Sequence, residues 1–299
     1  MKYLSPKQLG KAIGVSESSL KRWIDDGQIA VTRTTGGHRR IELPEAVRFV
    51  RQRGYTIDDP AVLGLSASDA RQGRADDAQQ VDRLHDMLTQ GKGQAFQAAV
   101  TRLYLDGRTL AELIDGPIRE AMSRIGELWH NDPDGVGIEH RATDICIRTL
   151  GYLHSLVKPP LDEAPLAIGG APPGDIHLIP SLCISLVMAE QGWREMNLGA
   201  NTPWDQFVAV ARRERAALVW VSMTAEPKAD LSPRVSTLAD ALAPLPCQLM
   251  VGGQQATPAV ARLAQPNLHA AGSMHELVAF SKGLLAAHLA GRGTNGVSH

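Results

Sequence analysis

The chain has 299 residues, with 31 Lys and Arg against 32 Asp and Glu, and its net charge is −1. That length holds two or three domains with buried cores. Three cysteines, Cys146, Cys183 and Cys247, lie far apart without a C-x-x-C pair, which argues against a disulfide framework or a cysteine-built zinc site. No basic-then-apolar leader and no apolar run near membrane-spanning length occurs, so a cytoplasmic protein is expected. The balanced charge is unevenly spread: residues 1–53 carry eleven Lys and Arg against five Asp and Glu, leaving the remainder acidic. The basic end is where nucleic acid would bind.

In Ser5-Pro6-Lys7-Gln8 a serine cap, a proline at the first helical position and a glutamine three residues after the cap predict a helix start. Gly14 ends that helix. Ser16 caps a second one reaching about Asp26, with Leu20 and Ile24 inward and Ser18, Lys21 and Arg22 outward. Ile29–Val31 and Arg39–Ile41 then flank the polar TRTTGGH, which predicts a β-hairpin turned by Gly36 and Gly37, with Arg33, His38, Arg39 and Arg40 at its tip. A third helix starts at Pro44. Two short helices followed by a basic hairpin resemble the winged helix-turn-helix of MerR-type regulators over residues 1–53. The resemblance implies phosphate contacts from the wing arginines and base-edge contacts from Ser18, Ser19, Lys21 and Arg22. A solvated basic face on a protein-binding module is the plainer alternative. Residues 54–75, mixed in charge and lacking apolar periodicity, read as a linker.

Four helix-like segments follow, at 76–90, 94–105, 109–130 and 137–157, and predict a four-helix bundle over residues 76–157. Gly116-Pro117 kinks or restarts the third. Trp129 and His130 end that helix, Glu139 and His140 open the next, and the NDPDG turn is expected to fold the four side chains together. The bland alternative is a buried tryptophan beside a capping glutamate.

After the short linker KPPLDEAP, residues 166–290 alternate apolar strands with helical segments, the pattern of a parallel sheet in a Rossmann-like, flavodoxin-like fold. Such sheets bind ligands beyond the carboxyl ends of their strands. The loops there hold Asp175-x-His177 running to Pro180, then Ser222-x-Thr224, then Gly252-Gly253. Forty-one residues separate Pro180 from Ser222, and 27 separate Thr224 from Gly252. The tail after about Gly291 is expected to be disordered.

These motifs and gaps resemble the cobalamin-binding domain of B12-dependent methyltransferases, mutases and photoreceptors, with Pro180 standing where that motif has glycine. The resemblance implies His177 as the lower cobalt ligand with Asp175 holding its other ring nitrogen. It also implies that Ser222 and Thr224 line the slot for the displaced nucleotide tail, and that Gly252 and Gly253 let the tail approach the backbone. Gly199–Pro203 (GANTP) fits the same pattern, near the corrin edge. The spacing W-x9-E-H from Trp129 to His140 resembles light-sensing B12 regulators of the CarH and LitR type, whose helical bundle caps adenosylcobalamin. Trp129 and Glu139 would then hold the adenosyl group beside His140, and His130 would take the cobalt after that group leaves.

The whole order therefore resembles a multidomain α and α/β photoreceptor: winged helix, bundle and cobalamin-binding domain. The implied function is transcriptional repression. With adenosylcobalamin as chromophore, a homotetramer would hold double-stranded operator DNA in darkness and release it once light breaks the cobalt–carbon bond. A second reading keeps the DNA binding but senses haem, a bilin or no cofactor. An enzyme, such as a corrinoid methyl-transfer module, fits poorly, because the chain has no evident substrate domain and carries a basic N-terminus.

Overall fold

A computed structural model describes residues 2–63, 77–131, 133–227, 229–256, 260 and 263–294, without the side chains of 63, 129–131 and 289–294. Residues 64–75 of the expected linker thus lie outside the described residues. Residues 1–158 and 159–299 form two compact units.

In the first unit, strand β1 (Tyr3–Leu4) precedes helix α1 (Pro6–Ala12), and helix α2 (Glu17–Asp25) follows. The α1 start is a complete capping box: Ser5 Oγ accepts from the Gln8 amide at 3.2 Å, and Gln8 Oε1 accepts from the Ser5 amide at 2.8 Å, so two otherwise orphaned donors are satisfied. Strands β2 (Thr32–Arg33) and β3 (Arg39–Glu42) form the hairpin, and β1 pairs with the other side of β3. The first hairpin strand lies later than Ile29–Val31. Ile29 is buried, and the Ala30 amide donates to Glu45 Oε1 at 2.9 Å, so this segment's backbone is engaged away from the ladder. Helix α3 (Leu43–Arg53) begins with Pro44 in its first turn and ends at Gly54, whose φ of 66° is left-handed.

Helices α4 (Asp77–Thr89), α5 (Gly93–Leu105), α6 (Leu110–Leu113), α7 (Arg119–Asn131) and α8 (Gly135–His154) follow. The segment expected over 109–130 is broken. A π-helical turn at Ile114–Ile118 separates α6 from α7, with Gly116 at φ −98° and ψ −110°. Pro117 has no N–H to donate and its ring crowds the preceding turn. Helices α4, α5, α7 and α8 pack against one another through buried Leu84, Leu88, Phe96, Ile125, Ile145 and Leu153.

The second unit contains strands β4 (Leu166–Gly170), β5 (Arg194–Gly199), β6 (Leu218–Ser222), β7 (Gln248–Gly252) and β8 (Leu268–Ala271). All are parallel, in the order β5-β4-β6-β7-β8. Strands β4 and β6 are buried along their whole length, as central parallel strands covered on both faces are. Helices α10 (Trp204–Glu214) and α11 (Ser232–Leu242) cover one face, sharing a core of Phe207, Val219, Val221, Leu238 and Val251. On the opposite face lie α9 (Ile179–Glu190) and α12 (Met274–Thr294). Pro180 is accommodated in the first turn of α9, where its missing N–H has no intrahelical partner to lose. Helix α12 runs through Gly291 to Thr294, because Ala286, Ala287 and Ala290 favour helix where a disordered tail was expected. Residues 295–299 lie outside the described residues. No helix among the described residues is long and apolar enough to cross a membrane. The three cysteines are buried and outside any disulfide, and burial pushes the Cys146 and Cys247 thiols up to about 12.

Candidate functional site

In the order β5-β4-β6-β7-β8 the chain steps from β4 to one side and later returns to β4's other side as β6. That makes the β4–β6 edge a topological switch point, where open parallel sheets bind ligands beyond the strand carboxyl ends. The loop after β4 contains Asp175 and His177, and β6 ends at Ser222 with Thr224 just beyond it. Topology alone thus brings two of the three sequence motifs to one crevice.

Asp175 organises the loop. Its Oδ1 accepts from the His177 amide at 3.0 Å and lies 2.8 Å from His177 Nδ1. Its Oδ2 accepts from the amides of Thr224 at 2.6 Å and Ala225 at 3.0 Å. The Asp175 side chain is 4% exposed, the His177 side chain 51%. Burial pushes the Asp175 carboxyl up, but the amides of Ala225, Thr224 and His177 together with the His177 ring outweigh it and hold the pKa below its ordinary value. An ionised Asp175 accepts from Nδ1–H, which leaves the Nε2 lone pair directed outward. This is the tautomer a metal-ligating histidine needs. Nε2 faces no hydrogen-bond partner among the described residues. The neighbouring Ile176 and Leu178 are 75% and 45% exposed, so the half-exposed ring is flanked in sequence by two bare apolar side chains. That donor set fits a metal-centred ligand with a broad apolar edge, as a corrinoid is.

The loop after β5 braces the histidine loop, and its key residue carried no strong signal in the sequence. Asn201 sits at φ 54°; its Oδ1 accepts from the Gly174 amide at 2.9 Å, and its own amide donates to the Asp175 carbonyl at 2.9 Å. Asparagine tolerates left-handed backbone better than most residues, and GANTP offered that hint without the partner. A buried relay was also missed. Trp220 Nε1 donates to Ser181 Oγ at 3.1 Å, and Ser181 donates to Asn197 Oδ1 at 2.9 Å. A serine in a first helical turn and a strand tryptophan are ordinary in isolation, and only folding joins them.

The third motif meets the second through backbone. Met223 N–H donates to the Gly252 carbonyl at 2.7 Å, and the Gln255 amide donates to the Met223 carbonyl at 3.0 Å. Gly253 has φ 100°, and a Cβ there would collide with the Met223 backbone, while one at Gly252 would come 3.1 Å from the Ala271 carbonyl. Ser222 is buried and Thr224 half-buried. The structure thereby gathers Asp175, His177, Ser222, Thr224, Gly252 and Gly253 at one sheet edge.

The bundle residues belong to the first unit. Trp129 and His130 occupy the last turn of α7, and their side chains lie outside the described residues. Glu139 and His140 stand in the second turn of α8, later than a helix opening at 137 would place them, because α8 already begins at Gly135. Glu139 Oε1 accepts from Thr143 Oγ1 at 2.8 Å, and the exposed His140 has Nε2 3.6 Å from Glu139 Oε2.

At the N-terminal end, Lys21 and Arg22 are exposed on α2, as are Arg33 and His38 on the hairpin, with Arg40 half-exposed. Ser16 Oγ lies 2.9 Å from Ser18 Oγ and 3.0 Å from Ser19 Oγ, and caps the Ser19 amide at 3.2 Å. Lys21 pairs with Glu17 at 2.8 Å. Arg39 differs from the other wing arginines: it donates to the Lys21 carbonyl at 3.1 Å and to Asp25 at 2.6 Å, tying the hairpin to α2.

A family described as "B12 binding domain" matches residues 80–154, a span that includes Trp129, His130, Glu139 and His140. The chain is 24% identical to the HTH-type transcriptional repressor CarA of Myxococcus xanthus over 282 residues, covering 91% of this chain and 94% of that protein. Among solved structures it is similar to the Methanosarcina barkeri monomethylamine corrinoid protein, with TM-score 0.52 and 16% identity, covering 70% of this chain and 99% of that one. The sequence resemblance to a transcriptional repressor thus holds along nearly the whole chain, the B12-binding match covers residues 80–154, and the likeness to the corrinoid protein is one of fold.

Proposed function

We propose that this chain is a cobalamin-dependent transcriptional repressor. The observation that carries the reading is the half-exposed His177 at the sheet's switch point, with Nδ1 held by buried Asp175 and Nε2 directed outward. Similarity to the CarA repressor over 91% of the chain supports it independently. His177 would hold the cobalt. Asp175 fixes the ring's tautomer and orientation, and the Thr224 and Ala225 amides keep Asp175 ionised. Ser222, Thr224, Gly252 and Gly253 complete the edge of the cofactor site. No residue is assigned a catalytic role.

The N-terminal helices and hairpin serve as the DNA-binding winged helix in this reading. Arg33, His38 and Arg40 meet phosphates, Arg39 steadies the wing, and Ser18, Ser19, Lys21 and Arg22 reach base edges. The finer reading is a light-dependent one. In its adenosyl form the cofactor supplies a cobalt–carbon bond that light breaks. Trp129 and Glu139 are assigned to the adenosyl group, with His140 beside them in the cofactor site, and His130 to the cobalt once that group is lost. The dark form is a homotetramer, whose linked DNA-binding heads raise one another's effective concentration on tandem operator sites. A ligand shifts assembly only as far as it prefers one state, so losing the adenosyl group dissolves the tetramer.

The test is an anaerobic titration of the purified protein with adenosylcobalamin in darkness, followed by sizing and double-stranded DNA binding before and after green light. Binding, dark assembly and its loss on illumination are expected. Unchanged size and DNA affinity after spectroscopically verified photolysis would overturn the light reading, and absence of cobalamin binding would overturn the cofactor reading.

A further inference from the structure

Strand β6 presents Leu218, Trp220 and Ser222 to the α9 face of the sheet, with Ser222 at its end and Trp220 two residues, about 7 Å, deeper. Val219 and Val221 point to the other face, where the core shared with α10 and α11 is packed. Trp220 is fully buried. Its register partner across the switch point is Gly169 of β4, and a Cβ at Gly169 would fall inside the indole. The ring therefore covers the β4–β6 crevice, and only glycine on β4 admits it. Its Nε1 is anchored 3.1 Å from Ser181 Oγ in the first turn of α9, and Ser181 is bonded in turn to Asn197 Oδ1 at 2.9 Å, which also accepts the Gly199 amide at 2.9 Å. Sheet, indole and helix form one filled layer directly beneath the His177 loop.

The consequence, which rests on the reading of His177 as a corrinoid ligand, concerns the lower nucleotide. A cobalamin held by a protein histidine has released its own benzimidazole, and that base hangs from the corrin edge on a phosphate–ribose chain. We propose that Trp220 occupies the crevice in place of that base, so that the nucleotide tail stays outside the fold. The far face offers no alternative, being filled by the Val219, Val221, Ile168 and Val251 core. The bare α-carbon of Gly253 meets the Met223 backbone, an intrachain contact. Ser222 then forms a rim above the indole rather than a slot wall. The site recognises the corrin ring and its cobalt and accepts corrinoids whatever their lower base, tail-less ones included. Cobalamin must first displace its own base and regains no burial for it, whereas a tail-less corrinoid displaces nothing.

The test is to titrate the full-length protein with aquocobalamin and with aquocobinamide, following histidine ligation by absorption, and to record the phosphorus resonance of bound cobalamin. Cobinamide should bind as tightly as cobalamin or more tightly, and the phosphodiester signal should keep the narrow width of a solvent-exposed group. Trp220→Ala, which opens the crevice, should shift the preference at least tenfold towards cobalamin. If that variant does not fold, the two wild-type measurements decide alone. Cobalamin binding at least tenfold tighter than cobinamide, or a broadened phosphorus signal, overturns the proposal while leaving the cofactor reading intact. Binding of neither corrinoid, with the protein folded, overturns both.

Discussion

The guanidinium of Arg51, near the end of α3, lies 3.6 Å from the centre of the Tyr104 ring and donates to Tyr104's own carbonyl at 2.7 Å. One side chain of the N-terminal segment thus grips both the face and the backbone of α5. Lys158 reinforces the join by pairing at 3.0 Å with Glu45, and Arg102 reaches the Ile57 carbonyl at 3.5 Å. Burial pushes the Glu45 carboxyl up, while Arg48, the Ala30 amide and Lys158 outweigh it and hold the pKa below its ordinary value.

Arg51→Ala removes a cation–π contact and a charge-assisted hydrogen bond together, and should lower stability by about 1–3 kcal/mol. Chemical denaturation measures the loss. Hydrogen exchange should show earlier opening of α3 than of α8 in the variant, and unchanged protection of α3 would argue that the grip contributes nothing.

Asp175→Asn replaces an acceptor oxygen by a donor facing the Thr224 and Ala225 amides or the His177 ring. About 1–3 kcal/mol should be lost. Because the folded pKa of Asp175 is lowered, the ionised carboxylate stabilises the fold fully above the unfolded value of about 3.9, and that contribution disappears as pH falls through the lower folded value. The stability difference between wild type and variant should therefore be constant at neutral pH and shrink only below about pH 4, as paired urea titrations across pH would show. His177→Ala should behave differently, abolishing corrinoid binding with little change in melting temperature, since its side chain is 51% exposed.

On the hairpin, Arg40→Ala should weaken binding to all duplex sequences alike and reduce the salt slope by about one. Arg39→Ala should also loosen the hairpin, because the bonds to Lys21 and Asp25 are lost. Salt-dependent DNA titrations read the first effect, and proteolysis near Thr34–Gly37 the second. Equal protease resistance in both variants would mean that Arg39 does not brace the wing.

Gly253→Ala places a Cβ against the Met223 backbone at φ 100°, a conformation that L-residues rarely adopt. A loss of about 1–3 kcal/mol is expected, whereas Gly107→Ala, at φ 104° with open space around it, should lose less. Thermal or urea unfolding of the two variants separates backbone strain from the added collision.

Much of the chain was legible because its signals are local. Ser5 and Gln8, three residues apart, make the capping box with no outside help, and the alternation of apolar strands with helical segments announced a parallel sheet. Asp175 and His177 are two residues apart, so their bond lay within reach of sequence inspection. Other features required distant segments to meet. The Ile29–Ala30 segment lost its place in the hairpin to the burial of Ile29 and to a carboxylate fifteen residues from Ala30. Arg39 became a brace because Asp25, fourteen residues away, stood beside it. Trp220 is an unremarkable strand residue until parallel pairing sets it over Gly169 and α9 brings Ser181, 39 residues away in sequence, to its ring nitrogen. The sequence by itself determined which groups are available for chemistry, since short-range capping, turn and motif geometry depend on neighbouring residues. Tertiary structure alone decided which spaces remain open, because close packing depends on the atoms that long-range folding brings to the same place.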